Sequence, residues 1–154
     1  MATVEDAEVV ARLGACIQEI HHENRPDWFK SANAQDAVAL YKKLLSNSTV
    51  TTFLAELGED LVGFVMTKVF VMQETPLVWE QTIVEISQIG VVPSARRSGV
   101  GRELLMAVRQ LADSISVSCI QLTTWEFNAV AYRFFESEGL EIQLRRMSMP
   151  YSAD

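Results

Sequence analysis

One stretch, residues 91–102, constrains the fold of this chain more than any other. An apolar run that ends at Val91 and Val92 predicts a strand stopped by Pro93. A basic turn with two glycines follows, and apolar residues at helical spacing from Val100 predict a helix directly after it. A strand, a glycine turn and a helix in this order aim backbone N–H groups and the positive end of a helix dipole at one place. The segment therefore predicts an anion site suited to phosphate.

The turn fits neither of the two common phosphate-binding templates. It lacks the Gly-x-x-x-x-Gly-Lys-Ser/Thr pattern of nucleoside triphosphatases and the Gly-x-Gly-x-x-Gly pattern of dinucleotide folds. Gly99 and Gly101 would let the backbone approach an anion without a Cβ in the way. Arg96, Arg97 and Arg102 add positive charge to the same turn. The alternative is a plain strand-to-helix turn whose glycine supplies a positive φ and whose arginines lie in solvent.

Length and composition predict one globular domain over residues 1–154. The chain is 49% hydrophobic and 21% charged, which is typical of a soluble protein. No apolar run approaches a membrane span, and the N-terminus lacks the regions of a signal peptide. We therefore expect a cytoplasmic protein with no membrane partner.

The charge and the metal-ligating residue types exclude further classes of partner. The net charge is −7, and no basic stripe lies outside the turn, so we expect no nucleic-acid partner. An acidic surface favours a cationic acceptor such as an amine. Cys16 and Cys119 lie far apart in apolar segments and are interpreted as small buried residues. Two histidines without a neighbouring cysteine or carboxylate cluster predict no metal site.

Hydrophobic periodicity along the chain predicts nine elements in the order α-α-β-β-β-α-β-α-β. A Thr3–Asp6 capping box precedes the first helix, and Asn128 caps the last helix. The predicted helices run to His22, over Ala34 to Leu45, from Gly99 to Ser114 and over Asn128–Glu138. The predicted strands are Val50–Leu57, Leu61–Val71, Thr82–Val92, Cys119–Trp125 and Leu140–Met149. This order is an α/β domain with a mixed sheet.

Two motifs on these elements resemble the GNAT N-acetyltransferase superfamily. Residues 96–101 fit Gln/Arg-x-x-Gly-x-Gly/Ala, which is similar to the loop that holds the pyrophosphate of acyl-coenzyme A in that family. Residues 128–140 resemble its Asn-x-x-Ala-x-x-Phe-Tyr-Glu-x-x-Gly-Phe segment. Asp6-Ala7 before the first helix and the segment from His22 to Phe29 also look like GNAT sequences. The resemblance covers nearly the whole chain.

The resemblance implies a GNAT fold: a mixed central sheet with a splayed pair of strands at the acyl-coenzyme A site, flanked by about four helices. The splayed strand would bind the pantetheine arm as an added strand would. Asn128 would contact that arm or only cap its helix. The cofactor-binding residues that the resemblance implies are Ile89, Gly90, Val91, Arg96, Arg97, Ser98, Gly99, Val100, Gly101, Arg102, Asn128 and Phe135.

The activity implied by the resemblance is direct transfer of an acetyl group from acetyl-coenzyme A to a primary amine of a small molecule or peptide. The amine attacks the thioester carbonyl, and the backbone N–H of Val91 polarises its oxygen. Two alternatives stay open: a transferase for another acyl group such as propionyl or succinyl, and a coenzyme A-binding protein with little activity. Thr123 stands where the branch that acetylates ribosomal proteins has Glu, which argues against that role.

The chain departs from the family pattern at Phe135, where the family usually has the Tyr that protonates the departing thiolate. Phe has no proton to donate. Tyr132 lies one helical turn earlier and could substitute, although packing beside Phe134 is the alternative. Loss of a general acid costs about 10²–10⁴-fold in rate.

The candidate general base is Glu85, which by strand alternation would share a face with Ile89 and Val91. Glu126, after the next strand, is the second candidate, and a solvated carboxylate is the plain alternative for both. His21 and His22, with two nearby aromatic residues, would wall the acceptor pocket or simply pack the helix end.

The family's usual first strand is missing or truncated, because the sequence starts almost at the first helix. A neighbouring subunit could cover the exposed sheet edge, and on that ground we consider a homodimer.

Overall fold

The computed structural model describes residues 1–149, apart from the side chain of Ala34, in two compact units that join after Thr123. The second unit begins at Thr124 and contains the helix α4, Ala129–Ser137. The helices of the first unit are α1 (Ala7–Asn24), α2 (Ala34–Leu45) and α3 (Val100–Ile115). Its strands are β1 (Val50–Leu57), β2 (Asp60–Met72), β3 (Gln81–Val91) and β4 (Cys119–Leu122). The predicted α/β class with a mixed sheet is confirmed.

The sheet of the first unit has the order β1-β2-β3-β4, antiparallel except for the parallel pair β3–β4. The hairpin of β1 and β2 turns at Gly58, whose φ of 66° suits glycine. In the centre, Gly63 on β2 lies opposite Val91 on β3. Val91 is the last residue of β3; the short 3-10 turn Pro93–Ala95 and then the basic turn, residues 96–102, lead from it into α3.

Successive residues of β2 point to opposite faces of the sheet, and both faces are covered. Phe64 and Met66 are buried and pack with α1 and α2. Val65 and Thr67 point to the other face and are equally buried. Helix α3 covers that second face with one apolar stripe: Val100, Leu104, Leu105, Val108 and Ala112.

Close packing against the Tyr41 hydroxyl of α2 requires a glycine at position 14, in the interior of α1. A Cβ at Gly14 would fall on that hydroxyl, which is buried and donates to Gln88 Oε1 at 2.7 Å. We predict that Gly14→Ala lowers the free energy of unfolding by about 1–3 kcal/mol, the usual cost of overpacking, despite the better helix propensity of Ala. Thermal unfolding measures the loss. In a Tyr41→Phe background the same substitution should cost much less, and an equal cost in both backgrounds would contradict this account.

The strand predicted over Leu140–Met149 is wrong, because these residues form no strand in the described part of the chain. Leu144 and Met147 are 78% and 94% exposed. Alternating apolar residues favour a strand only when another strand offers a ladder and a face to cover, and no such pairing involves this segment among the described residues. The strand predicted to reach Trp125 ends at Leu122.

Two features of the sheet edges also bear on the predictions. Residues 1–3 form no strand, and the contact of this segment with β1 is a hydrogen bond from the Ala2 N–H to the Thr52 carbonyl at 2.8 Å. Cys119, predicted to be buried, is exposed because it opens the edge strand β4, whereas Cys16 is half-buried.

Among the residues that the structure describes, no helix is long and apolar enough to cross a bilayer.

Candidate functional site

The parallel pairing of β3 with β4 ends before β3 does. Its last pair is Ile86 with Leu122, whereas β3 stays paired with β2 as far as Val91. Within residues 1–149, the last five residues of β3 therefore have a strand partner on one edge alone. The other edge of β3, called the open edge below, has no strand partner in the described residues at the place where the family resemblance implies a splayed pair.

The peptide groups of Val91 and Ile89 face this open edge. The Val92 N–H donates to the Val62 carbonyl at 2.8 Å, so Val91 and Gly63 form a pair without mutual hydrogen bonds. The N–H and C=O of Val91 consequently point away from β2, and those of Ile89, two residues earlier, do the same. The Val91 carbonyl accepts a hydrogen bond from Arg96 Nε at 3.2 Å. The open edge thus offers two N–H groups and one further carbonyl.

The basic turn joins this edge to the N-terminus of α3. Arg97 and Gly99 both have left-handed backbones, with φ of 65° and 92°. A non-glycine residue in this region costs about 1–3 kcal/mol, so the surrounding contacts must hold Arg97 in this conformation. Gly99 is the N-cap of α3 and offers no side chain to the first turn; the Arg102 N–H donates to the Gly99 carbonyl at 2.9 Å, and the N–H groups of Val100 and Gly101 are left to an external acceptor. This arrangement favours an anion, as predicted.

The side chains of the turn add positive charge close to these backbone N–H groups. Arg96, Arg97 and Arg102 are exposed, while Ser98 donates its hydroxyl to the Ala95 carbonyl at 2.7 Å and so helps to fix the loop. Glu103, also exposed, is an acidic residue in the first turn of α3. Three cations against one carboxylate leave the turn basic in a chain of net charge −7.

A β-bulge overturns the predicted face of Glu85. Gln88 pairs with Met66 and Ile86 pairs with Thr67, so Ser87 is an extra residue in β3. One extra residue reverses the alternation, because side chains change face at every position. Glu85 therefore lies on the α1–α2 face with Gln88, opposite the face of Ile89 and Val91. It stands next to Lys68 of β2 in the register.

The residues predicted on α4 lie in the second unit. Asn128 caps α4 by accepting the Ala131 N–H on its side chain at 3.2 Å. Phe135 is 7% exposed, and its ring contacts that of Phe134 with centroids 5.4 Å apart. The Tyr132 hydroxyl donates to Glu136 Oε1 at 3.2 Å. Packing of the Tyr132 ring beside Phe134, the alternative to a role as proton donor, does not account for this hydrogen bond.

His21 and His22 pack the end of α1. His21 Nδ1 lies 2.7 Å from the Ile17 carbonyl, and its ring contacts Phe29 edge-on. His22 Nδ1 lies 2.7 Å from the Phe29 carbonyl. The two rings tie the following turn to the helix, which supports the packing alternative. Trp28 is 68% exposed and lies under Arg25, which pairs with Asp27 at 2.8 Å.

A cavity of about 290 Å³ between α1 and α2 was missed by the sequence analysis. Its floor is the hydrogen-bonded pair Tyr41–Gln88, and its walls are mainly small side chains of α1 and α2. Burial raises the pKa of Tyr41, so this hydroxyl stays neutral. A glycine inside α1 was the available signal, since Gly14 is unfavourable in a helix without a packing reason.

The comparisons with known proteins agree with this geometry. The family model of the GNAT acetyltransferases matches residues 17–140. An uncharacterized N-acetyltransferase of Bacillus subtilis, YhfO, is 28% identical over 127 residues, which are 82% of this chain and 83% of that protein. A crystal structure of a tetramutant of the BH1408 protein from Bacillus halodurans covers 97% of both chains with 27% identity and a TM-score of 0.90.

A more distant fold match is the aminoglycoside N-acetyltransferase AAC(6')-Iy, solved in complex with CoA. It covers 77% of this chain and 88% of that one, with 18% identity and a TM-score of 0.63. The family model and the N-acetyltransferase relative define an acyltransferase. The chain belongs to the GNAT acetyltransferase family.

Proposed function

We propose that this protein transfers an acetyl group from acetyl-coenzyme A directly to a primary amine, as one catalytic domain over residues 1–154. The observation that carries the proposal is the open edge of β3, with the N–H groups of Ile89 and Val91, leading into the left-handed turn at the N-terminus of α3. The family match over residues 17–140, which extends into both units, supports a single domain.

The donor lies along the edge and the turn. The pyrophosphate binds the N–H groups of Val100 and Gly101 at the start of α3 and the backbone of the turn before them, where Gly99 and Gly101 permit close approach. Arg96, Arg97 and Arg102 neutralise its charge. The pantetheine arm runs along the open edge on either side of Gly90, and its amides pair with those outward peptide groups of Ile89 and Val91 that the thioester oxygen does not use, as an added strand would.

The reaction forms a nitrogen–carbon bond and breaks the carbon–sulfur bond. The neutral amine attacks the thioester carbonyl, whose oxygen gains negative charge and is stabilised by an outward N–H of β3; Val91 is the sequence-based choice. The acceptor's extra proton passes to a base, for which Glu85 on the α1–α2 face and Glu126 are candidates. The thiolate is a fair leaving group, since thiol pKa values lie near 8.5.

Release of free thiol tests the activity. Wild-type protein with acetyl-coenzyme A and a panel of primary amines should release thiol in proportion to acetylated amine, with acetyl preferred over propionyl and succinyl donors. A preference for a larger donor would mean that the protein transfers another acyl group rather than acetyl. Donor binding without thiol release for any amine would favour the second candidate, a coenzyme A-binding protein with little activity, which Phe135 supports.

The substitution Phe135→Tyr tests whether a missing proton donor limits turnover. We predict unchanged donor affinity and a turnover raised by up to about 10²-fold, the lower bound of what a general acid contributes. Adding a hydroxyl at a site that is 7% exposed should also cost about 1–3 kcal/mol of stability unless it finds a partner. Steady-state kinetics and thermal unfolding measure both effects. A fall in turnover by a fully folded variant would show that another group protonates the thiolate.

A further inference from the structure

The cavity between α1 and α2 combines a polar floor with small walls and a charged rim. Tyr41 and Gln88 form the floor, and Ala11, Gly14 and Ala15 of α1 form one wall. Lys30 and Asp36 stand at the rim. All of these residues lie in the first unit. The combination of a mainly apolar wall with a few placed polar groups is typical of small-molecule sites.

The floor of this cavity directly adjoins the open edge of β3. Gln88 is the residue before Ile89, so their Cα atoms are about 3.8 Å apart. The side chain of Gln88 points to the α1–α2 face, while the peptide N–H of Ile89 points along the sheet into the open edge. An acyl carbonyl held by the Ile89 N–H would therefore lie one residue along β3 from the floor. This adjacency favours Ile89 over Val91 as the N–H that polarises the thioester.

The hydrogen-bonding capacity of the floor suits a primary amine. The Tyr41 hydroxyl donates its one proton to Gln88 Oε1 at 2.7 Å, so its oxygen can still accept a hydrogen bond. An amine N–H that donates to this oxygen keeps the nitrogen lone pair free for attack. Since burial keeps the hydroxyl neutral, the floor carries no charge that would hold the amine as an ammonium ion.

The size and rim of the cavity restrict the rest of the acceptor. Its volume of about 290 Å³ lies at the lower end of ligand pockets, which span about 300–1,000 Å³. A molecule of several sugar rings exceeds this space and would have to extend beyond its mouth. The rim carries both Lys30 and Asp36, so the far end of the acceptor meets charged partners of either sign. Asn33 donates to Asp36 Oδ2 at 2.9 Å, which fixes that carboxylate.

We propose that the α1–α2 cavity binds the acceptor, and that the acceptor is a compact primary amine with a polar or charged group at its far end. The inference rests on the proposed acetyltransferase function and adds its substrate class. Tyr41 and Gln88 hold the amine beside Ile89, and Lys30 or Asp36 contacts the other end.

The probes are ethanolamine, putrescine and β-alanine as compact amines, with sisomicin and a tetrapeptide amide as bulky ones. In the thiol-release assay the compact amines should give at least 10-fold higher kcat/KM than the bulky ones. Comparing kcat/KM for putrescine and for β-alanine distinguishes the two contacts, because the second amine of putrescine would pair with Asp36 and the carboxylate of β-alanine with Lys30. If thiol is released only with the bulky amines, or if no compact amine supports release, the assignment is overturned.

Two variants and one control localise the effect. Tyr41→Phe should lower kcat/KM for the compact amines by about 10-fold or more, the value of a lost hydrogen bond of about 1.4 kcal/mol, with donor affinity unchanged. Ala15→Leu narrows the cavity and should raise KM for the same amines. The matched control Ala39→Leu, at an exposed position of α2, should leave both values as in the wild type. Equal effects of Ala15→Leu and Ala39→Leu would contradict the proposal.

A second readout separates this inference from the proposed function. In the protein without donor, the side-chain amide resonances of Gln88, assigned by their loss in Gln88→Leu, should shift on titration with the compact amines. A shift without any acetyl-coenzyme A binding would retain the cavity as an amine site while ending the transferase proposal. Donor binding with no shift would end the cavity assignment and leave the transferase proposal standing.

Discussion

Gly101→Glu should abolish binding of acetyl-coenzyme A while leaving the protein folded. The variant places a side chain and a negative charge in the first turn of α3, where the pyrophosphate is proposed to bind. We expect at least a 100-fold weaker Kd, equivalent to about 2.7 kcal/mol. Titration calorimetry with acetyl-coenzyme A measures this loss.

The same substitution should not harm the helix, which makes the result easy to interpret. Glu has a better helix propensity than Gly by roughly 0.5–1 kcal/mol, and an acidic residue near a helix N-terminus is favourable. Thermal stability without ligand should therefore hold or rise. Gln110→Glu, at an exposed position later in α3, adds the same charge away from the turn and should leave the Kd near the wild-type value. Normal binding by folded Gly101→Glu would show that residues 96–102 form only a turn.

Gly63→Ala should cause the largest loss of stability among single alanine substitutions of the central sheet's glycines. A Cβ at Gly63 would lie 2.9 Å from the Gly90 carbonyl oxygen and within 3.3 Å of Val100 and Leu104. A backbone oxygen inside a sheet gives way only if the strands move apart. Overpacking of this kind costs about 1–3 kcal/mol, and each kcal/mol lowers Tm by about 2–4 °C in a chain of this length.

The neighbouring glycine provides the matched control. A Cβ at Gly90 would meet Cδ1 and Cγ1 of Ile17 at 2.6 and 2.8 Å, and these are side-chain atoms rather than backbone. Gly90→Ala should therefore cost less than Gly63→Ala and should be rescued by Ile17→Ala. Because Gly63 seats the N-terminus of α3, its variant should also weaken donor binding. The opposite order of Tm values would contradict the packing described for α3.

The sequence predicted those elements that local patterns determine. Helix α2 and strand β1 have the predicted bounds, and α3 begins one residue after the predicted start. Capping by Asn128 and the left-handed glycine at position 99 were also predictable, because each depends on residue type within a few positions. Family membership followed from two such local motifs.

The features that the sequence did not reveal depend on partners distant in the chain. The bulge at Ser87 is defined by the register with β2, and it reverses the face of Glu85 without any local signal. Tyr41 and Gln88, the floor of the cavity, are 47 positions apart. The apolar alternation after Gly139 was mistaken for a strand because alternation does not say whether a neighbouring strand is available.

Thermal unfolding with and without ligands tests the central claim most directly, that the edge of β3 and the basic turn bind acetyl-coenzyme A. Wild-type protein is unfolded with acetyl-coenzyme A, coenzyme A, ATP or NAD at near-millimolar concentration. A ligand at 100 times its Kd adds about 2.7 kcal/mol, so acetyl-coenzyme A and coenzyme A should each raise Tm by several degrees. ATP and NAD should not. An unchanged Tm with both coenzyme A species, or an equal rise with ATP, would contradict the account.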